Sequence, residues 1–168
     1  MQIEIVRATP ADRARLENLL ELYVHDFSEI LGSAPGEDGR FGYPRLATYW
    51  TLPECFPLLI RADRRLAGFA LVSRGSHISN DPTIIDMTEF FVVRGLRRRG
   101  VGVAAALRVF GSLAGTWEVR VLDRNAGAQP FWQRAVSTFA QGRFESFPWR
   151  SEPERTWRVF RFVSPPVA

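Results

Sequence analysis

Polar and apolar residues alternate over Gln2-Ile3-Glu4-Ile5-Val6, as they do in a strand with one buried face. The period then changes. Leu16, Leu19, Leu20, Tyr23, Val24, Phe27 and Leu31 recur at helical spacing. Thr9-Pro10-Ala11-Asp12 ahead of them reads as a helix start, with Thr9 as N-cap, Pro10 in the first position and an acid in the first turn. The pattern predicts a helix over residues 10–31. The Gly/Pro/Asp-rich piece from Gly32 to Gly42 reads as a loop, and Arg45 to Thr51 as a short helical segment before Pro53.

Three strands follow in the pattern. Phe56–Arg61 and Arg65–Arg74 are rich in β-formers and are separated by the turn Ala62-Asp63-Arg64. Pro82–Val93 is dense in Ile, Thr, Phe and Val. From Gly100 the spacing of Val101, Ala104, Ala105, Leu107, Arg108 and Phe110 is helical again. Trp117–Leu122 reads as a strand, Ala126–Val136 as a helix, and Gly142–Trp149 with Arg155–Val163 as two antiparallel strands. The order is one α/β or α+β domain over residues 1–168, a mixed sheet with helices on both faces.

Composition narrows the class of function. All 22 basic residues are arginine, which excludes lysine Schiff-base chemistry and the P-loop. The net charge of +4, set against 18 carboxylates, is a mild bias toward anionic ligands and not a nucleic-acid signature. Cys55 is the single cysteine, and His25 and His77 are far apart, so no disulfide or metal motif is expected. No apolar run approaches the roughly 20 residues of a membrane span, and Met1-Gln2-Ile3-Glu4 does not resemble a signal peptide. A cytoplasmic protein is expected.

The chemistry is concentrated in Asp86-Met87-Thr88-Glu89-Phe90-Phe91-Val92-Val93-Arg94-Gly95-Leu96-Arg97-Arg98-Arg99-Gly100-Val101-Gly102. Here a strand runs through a turn of glycine and arginine into a helix. The first N–H groups of that helix lack intrahelical partners, and the helix dipole adds to their pull on a phosphate. Arg97, Arg98 and Arg99 bring fixed charge that can chelate phosphate oxygens. A pyrophosphate-binding turn is the reading; a surface arginine cluster beside an ordinary helix start is the alternative. The dinucleotide fingerprint is incomplete, because Ala105 stands at its third glycine.

Arg97-x-x-Gly100-x-Gly102 at this turn resembles the acetyl-CoA motif of the GNAT N-acetyltransferase superfamily. Val92 to Gly100 overlays that family's V-x-P-E-Y-R-G-K-G, with the Pro, Glu and Tyr positions substituted. A second block, Asn125-x-x-Ala128-x-x-Phe131-Trp132 after the strand at 117–122, is similar to the family's N-x-x-A-x-x-F-Y. The resemblance implies a mostly antiparallel sheet of about seven strands and acetyl-CoA as acyl donor. It implies that residues 84–93 and 117–122 splay apart around the pantetheine arm. Backbone groups of Phe91 and Val93, beside Val92, would bond its amides. The N–H groups of Arg98, Arg99, Gly100, Val101, Gly102 and Val103 would hold the pyrophosphate, with Asn125 near the cofactor arm.

The same resemblance directs the search for catalytic groups. Transfer to an amine needs a base, because an ammonium has no lone pair. Glu89, two residues before Phe91 and so on its face, is the first candidate; Asp86, expected on the opposite face, is the second. The Val93 N–H is the expected donor to the thioester oxygen. Where many relatives carry a tyrosine as general acid, this chain has Trp132, whose indole gives up no proton near neutrality. Trp132 is read either as core or as a wall of the cofactor site. Tyr23 and Asp26 are the candidates on the acceptor side, with Glu29 beside Asp26; Tyr43, Tyr49 and Cys55 lie in segments that border it. The acceptor is expected to be the amine of a small molecule or peptide, with no nucleic acid, membrane or metal involved. A non-catalytic acyl-CoA-binding module is the competing expectation. The aromatic C-terminal strands (Phe144, Phe147, Trp149, Trp157, Phe160, Phe162) either face the core or pair two copies in a homodimer.

Overall fold

The computed structural model describes residues 1–152 and 155–166. Seven strands form one sheet: β1 (Ile3–Arg7), β2 (Cys55–Ala62), β3 (Arg65–Arg74), β4 (Ile85–Val92), β5 (Gly115–Leu122), β6 (Phe144–Glu152) and β7 (Arg155–Ser164). Their order across the sheet is β1-β2-β3-β4-β5-β7-β6. Every neighbouring pair is antiparallel except β4 and β5. Four α-helices pack on it: α1 (Arg13–Leu31), the single turn α2 (Thr48–Thr51), α3 (Val101–Phe110) and α4 (Ala128–Ala140).

The local signals worked as their physics requires. A short 3-10 turn at Pro10–Asp12 leads into α1. At its head the Asp12 carboxylate accepts the Thr9 N–H at 3.1 Å and the Thr9 hydroxyl at 3.0 Å, so the acid, rather than the hydroxyl, satisfies the exposed donors. The β2–β3 turn is tighter than its three-residue reading. Asp63 (φ 47°) and Arg64 (φ 64°) are both left-handed, which makes a two-residue turn whose twist matches the strands. α4 runs four residues past the predicted end at Val136, because Phe139 and Ala140 continue its apolar stripe.

Helices cover both faces of the sheet. On one face Ile85, Met87, Trp117, Val119, Phe160 and Phe162 pack against α3 and α4, where Phe110 and Val136 are fully buried. On the other face Leu59, Phe69, Leu71 and Phe91 meet Leu16, Leu19, Leu20 and Tyr23 of α1, with Leu46 and Tyr49. Phe160 and Phe162 of β7 therefore belong to the core, whereas Phe147, Trp149 and Trp157 are only half-buried. Among the described residues no helix is long and apolar enough to cross a membrane.

Candidate active site

β4 and β5 run side by side for only three residue pairs: Ile85 with Trp117, Asp86 with Glu118 and Met87 with Val119. Beyond Met87 they part, so the sheet opens into a fork. β4 also carries a bulge. Leu71 of β3 faces Glu89 and Val72 faces Met87, which leaves Thr88 as the extra residue.

That bulge corrects the expectation for Asp86. A regular strand would put Asp86 and Glu89 on opposite faces; the extra residue puts both on the α1 side. Ile85 and Met87 point into the α3–α4 core, and Asp86 and Glu89 point away from it. Asp86 is fully buried and chelated by Arg120, with Nε to Oδ2 at 3.0 Å and Nη2 to Oδ1 at 3.0 Å. Thr88 donates to the same carboxylate at 3.1 Å. With its oxygens engaged and no exposed surface, Asp86 is not placed to take a proton from an amine.

Glu89 is different. Its Oε1 accepts the Tyr43 hydroxyl at 2.7 Å, and its Oε2 accepts the hydroxyl of Tyr23. Burial pushes its pKa above the ordinary carboxylate value, while the hydrogen bonds from Tyr23 and Tyr43 and the charges of Arg120 and Arg45 restrain the rise. Burial, reinforced by the negative charge of Glu89, raises both tyrosines, so they stay protonated as donors. Tyr23 is thus both a core residue of α1 and a contact of the candidate base. Tyr43 is held in place by Glu21 of α1, whose carboxylate accepts the N–H groups of Phe41 (2.8 Å) and Gly42 (3.0 Å) just ahead of it.

The backbone of β4 faces the fork one residue out of step with expectation. The Val93 N–H donates to Ala67 O at 2.9 Å, so it is not free to meet a thioester oxygen. Phe91 likewise turns its carbonyl toward β3, where a Cβ on Gly68 would lie 1.9 Å from it. Antiparallel pairing alternates, so the groups turned away from β3 and toward the fork belong to Phe90 and Val92. The missing side chain at Gly68 is what lets β3 sit so near β4 at this point.

The turn after β4 presents the donors its sequence promised. A 3-10 turn at Arg94–Leu96 is followed by left-handed Arg98 (φ 61°) and Gly100 (φ 82°), and α3 starts at Val101. Ala104 is the first residue whose N–H finds a helical acceptor, Gly100 O at 3.0 Å. Among the described residues the N–H groups of 98–103 have no protein acceptor, which leaves six consecutive donors. Gly102 keeps this helix start close to α4, since a Cβ there would lie 3.0 Å from the Phe131 ring.

Two of the charged residues expected at the ligands are engaged with each other. Asp26 accepts Arg94 Nε at 2.9 Å and Arg97 Nη2 at 2.5 Å. Arg97 also donates to Val92 O at 2.8 Å and lies over the Phe91 ring. Desolvation opposes ionisation of Asp26, but the hydrogen bonds from Arg94 and Arg97 prevail and hold its carboxyl below the usual range. Asp26 therefore sits against the turn that follows β4. Arg94, Arg97, Arg98 and Arg99 are all exposed, and among the described residues Arg98 and Arg99 make no ion pair. Asn125 lies in the turn between β5 and α4, its N–H on Leu122 O at 2.8 Å. Trp132 packs on Phe90, Phe110 and Phe131 and is 7% exposed, which makes it core.

A forked, mostly antiparallel sheet with a phosphate-type turn at the fork defines a class, and the comparisons agree with it. The acetyltransferase (GNAT) family model matches residues 16–136, and the chain belongs to this family. An acetyltransferase from Thermus thermophilus superposes with a TM-score of 0.69 at 18% identity, covering 97% of each chain. The ribosomal-protein-S18-alanine N-acetyltransferase from Escherichia coli gives 0.62 at 11% identity, over 99% of this chain and 97% of that one. A GNAT-family acetyltransferase from Staphylococcus aureus gives 0.61 at 14% identity, over 94% and 98%. No curated protein matches the chain significantly.

Proposed function

We propose that the protein is an N-acetyltransferase that moves the acetyl group of acetyl-CoA directly to an amine of a small molecule or peptide, with Glu89 as the base. The observation that carries this reading is the Glu89 carboxylate, gripped by Tyr23 and Tyr43 beside the open end of the β4–β5 fork. When bound, acetyl-CoA supplies an acyl group activated as a thioester.

The residues present fit such a ligand. Six N–H groups at 98–103 without a protein acceptor among the described residues, at the head of a helix, suit a pyrophosphate. The edge of β4 at Phe90 and Val92 pairs with no strand, although the Val92 carbonyl accepts Arg97 Nε, and it suits the amides of an extended arm. The N–H groups of Phe90 and Val92 are also the donors nearest in kind to what a thioester oxygen needs as it gains charge. Glu89, its pKa raised by burial above the ordinary carboxylate value, takes the proton of the incoming ammonium, directly or through water. Trp132 offers no acidic proton, and the departing thiolate is protonated by solvent.

The test is a CoA-release assay on purified protein with Glu89→Gln. Retained acetyl-CoA affinity with a rate loss of about 100-fold, within the usual worth of a general base, supports the assignment. Equal rates for the two proteins across pH sink Glu89 as base. Because Trp132 replaces a tyrosine, a binding-only module is the second reading; it predicts acetyl-CoA binding with no CoA release on any amine.

A further inference from the structure

The α1-facing side of β4 and β5 buries two charges side by side. Asp86 and Glu118 are fully buried and are register partners across the parallel seam. Each is met by an arginine. Arg161 donates to Glu118 Oε1 through Nε (3.1 Å) and Nη2 (2.7 Å), and the Ser76 hydroxyl donates to Oε2 at 2.8 Å. Arg120 chelates Asp86. The two pairs differ in what else holds their strands together. Glu118 and Arg161 are partners within the long antiparallel β5–β7 ladder, which would hold without them. Asp86 and Arg120 lie on β4 and β5, whose ladder ends at Met87 and Val119, one residue before Arg120. The guanidinium thus reaches back over the vertex of the fork.

We propose that the Asp86–Arg120 pair is a staple at the vertex of the fork, and that Arg120 is a positioning residue: it sets where β4 and β5 part and holds a cation beside Glu89. The proposal rests on the reading of the fork as the acetyl-CoA site and, for its catalytic half, on Glu89 as base. A bidentate guanidinium–carboxylate pair fixes a plane as well as a distance, which a single hydrogen bond cannot do. Arg120 also lies over the Trp157 ring, 5.5 Å from its centre, so the staple is braced from β7. Its side chain is only 13% exposed, which keeps water from competing for the carboxylate.

The groups around Glu89 are Tyr23 from α1, Tyr43 and Arg45 ahead of α2, Tyr49 of α2, Asp86 on its own strand and Arg120 from β5. His77, from the β3–β4 connection, stands 3.7 Å from Asp86. Of these, Arg120 is the buried cation. Its removal raises the Glu89 pKa, and its replacement by lysine does not.

Two variants test this. Asp86→Asn/Arg120→Met removes both charges together, so no lone carboxylate is left buried, and circular dichroism checks its fold. Titration calorimetry is expected to show acetyl-CoA binding about fivefold weaker or more, because the fork is no longer pinned. As a control, Arg120→Met alone, which keeps the Asp86 charge, should raise the acid limb of kcat/KM, whereas in the double variant the two lost charges oppose each other at Glu89. Arg120→Lys keeps the charge but not the chelate: weaker acetyl-CoA binding with the acid limb near its wild-type position is expected. A folded double variant with wild-type affinity for acetyl-CoA overturns the staple, whatever its pH profile. Should the double variant not fold, wild-type affinity in Arg120→Lys does the same. Failure of Glu89 as base is read separately, from the rate of Glu89→Gln, while the affinities still decide the fork.

Discussion

Tyr43→Phe removes one oxygen and with it the 2.7 Å hydrogen bond to Glu89 Oε1, leaving the ring and the Tyr23 contact in place. A hydrogen bond to a charged group contributes about 1.5–3 kcal/mol. The tyrosine hydroxyl favours the ionised carboxylate, so its loss favours the protonated one. At 1.36 kcal/mol per unit, the Glu89 pKa should move up by about 1–2 units. The assay is CoA release at saturating acetyl-CoA, measured as kcat/KM against pH. The acid limb should shift upward by that amount, and below it the variant should be about 10- to 100-fold slower. Stability gives an independent check of sign. Glu89 is raised in the folded state, so its contribution is fully present below the unfolded value of 4.5 and is lost as pH rises through the folded pKa. Tyr43→Phe should deepen that loss and extend it to higher pH; Glu89→Gln should abolish it. An acid limb that stays put in a folded Tyr43→Phe protein would refute the reasoning.

Gly102→Trp should abolish measurable acetyl-CoA binding in calorimetry, since bulk obstructs the donor turn and displaces the Phe131 ring 3.0 Å from the Cβ position; unchanged affinity would move the site elsewhere. Glu21→Ala removes the acceptor for the Phe41 and Gly42 N–H groups, so Tyr43 loses its support. Its kcat/KM should fall by about 3- to 10-fold, the worth of one weakened hydrogen bond, with acetyl-CoA affinity unchanged. Phe110→Ala empties a fully buried site between Trp117, Trp132 and Phe162 and should cost about 3–5 kcal/mol in denaturant unfolding.

The elements that were legible in the sequence are those whose signal is local. The stripe from Leu16 to Leu31, the β2–β3 hairpin and the strand–turn–helix around Gly100 are set by periodicity and turn chemistry within a few residues. What escaped reading depends on contacts distant in sequence. The bulge at Thr88 has no glycine to announce it, and one extra residue reverses every face assignment beyond it. The step from Phe91 and Val93 to Phe90 and Val92 as the fork-facing residues follows from the β3 register, which period alone does not give. Asp26 and Arg97 are 71 residues apart, and nothing in either segment signals their pairing. Tyr43 sits in a loop with no pattern to orient it, yet it reaches Glu89 across 46 positions. Glu89 is singled out in the sequence only by its place on the motif strand, two residues before Phe91; its grip by Tyr23 and Tyr43 comes from residues 66 and 46 positions away.

The parallel seam has a mechanical consequence. Seven strands make one sheet, but β1–β4 and β5–β7 are two antiparallel blocks, joined in backbone terms by three residue pairs. An extended ligand lying in the fork would act as missing rungs, bonded to one block along each of its edges. Its binding would then be felt throughout the sheet. Amides on both sides of the seam should slow together in hydrogen exchange, and the unfolding temperature should rise with ligand concentration. The site's incompleteness is thus a weakness of the fold that a ligand in the fork would repair.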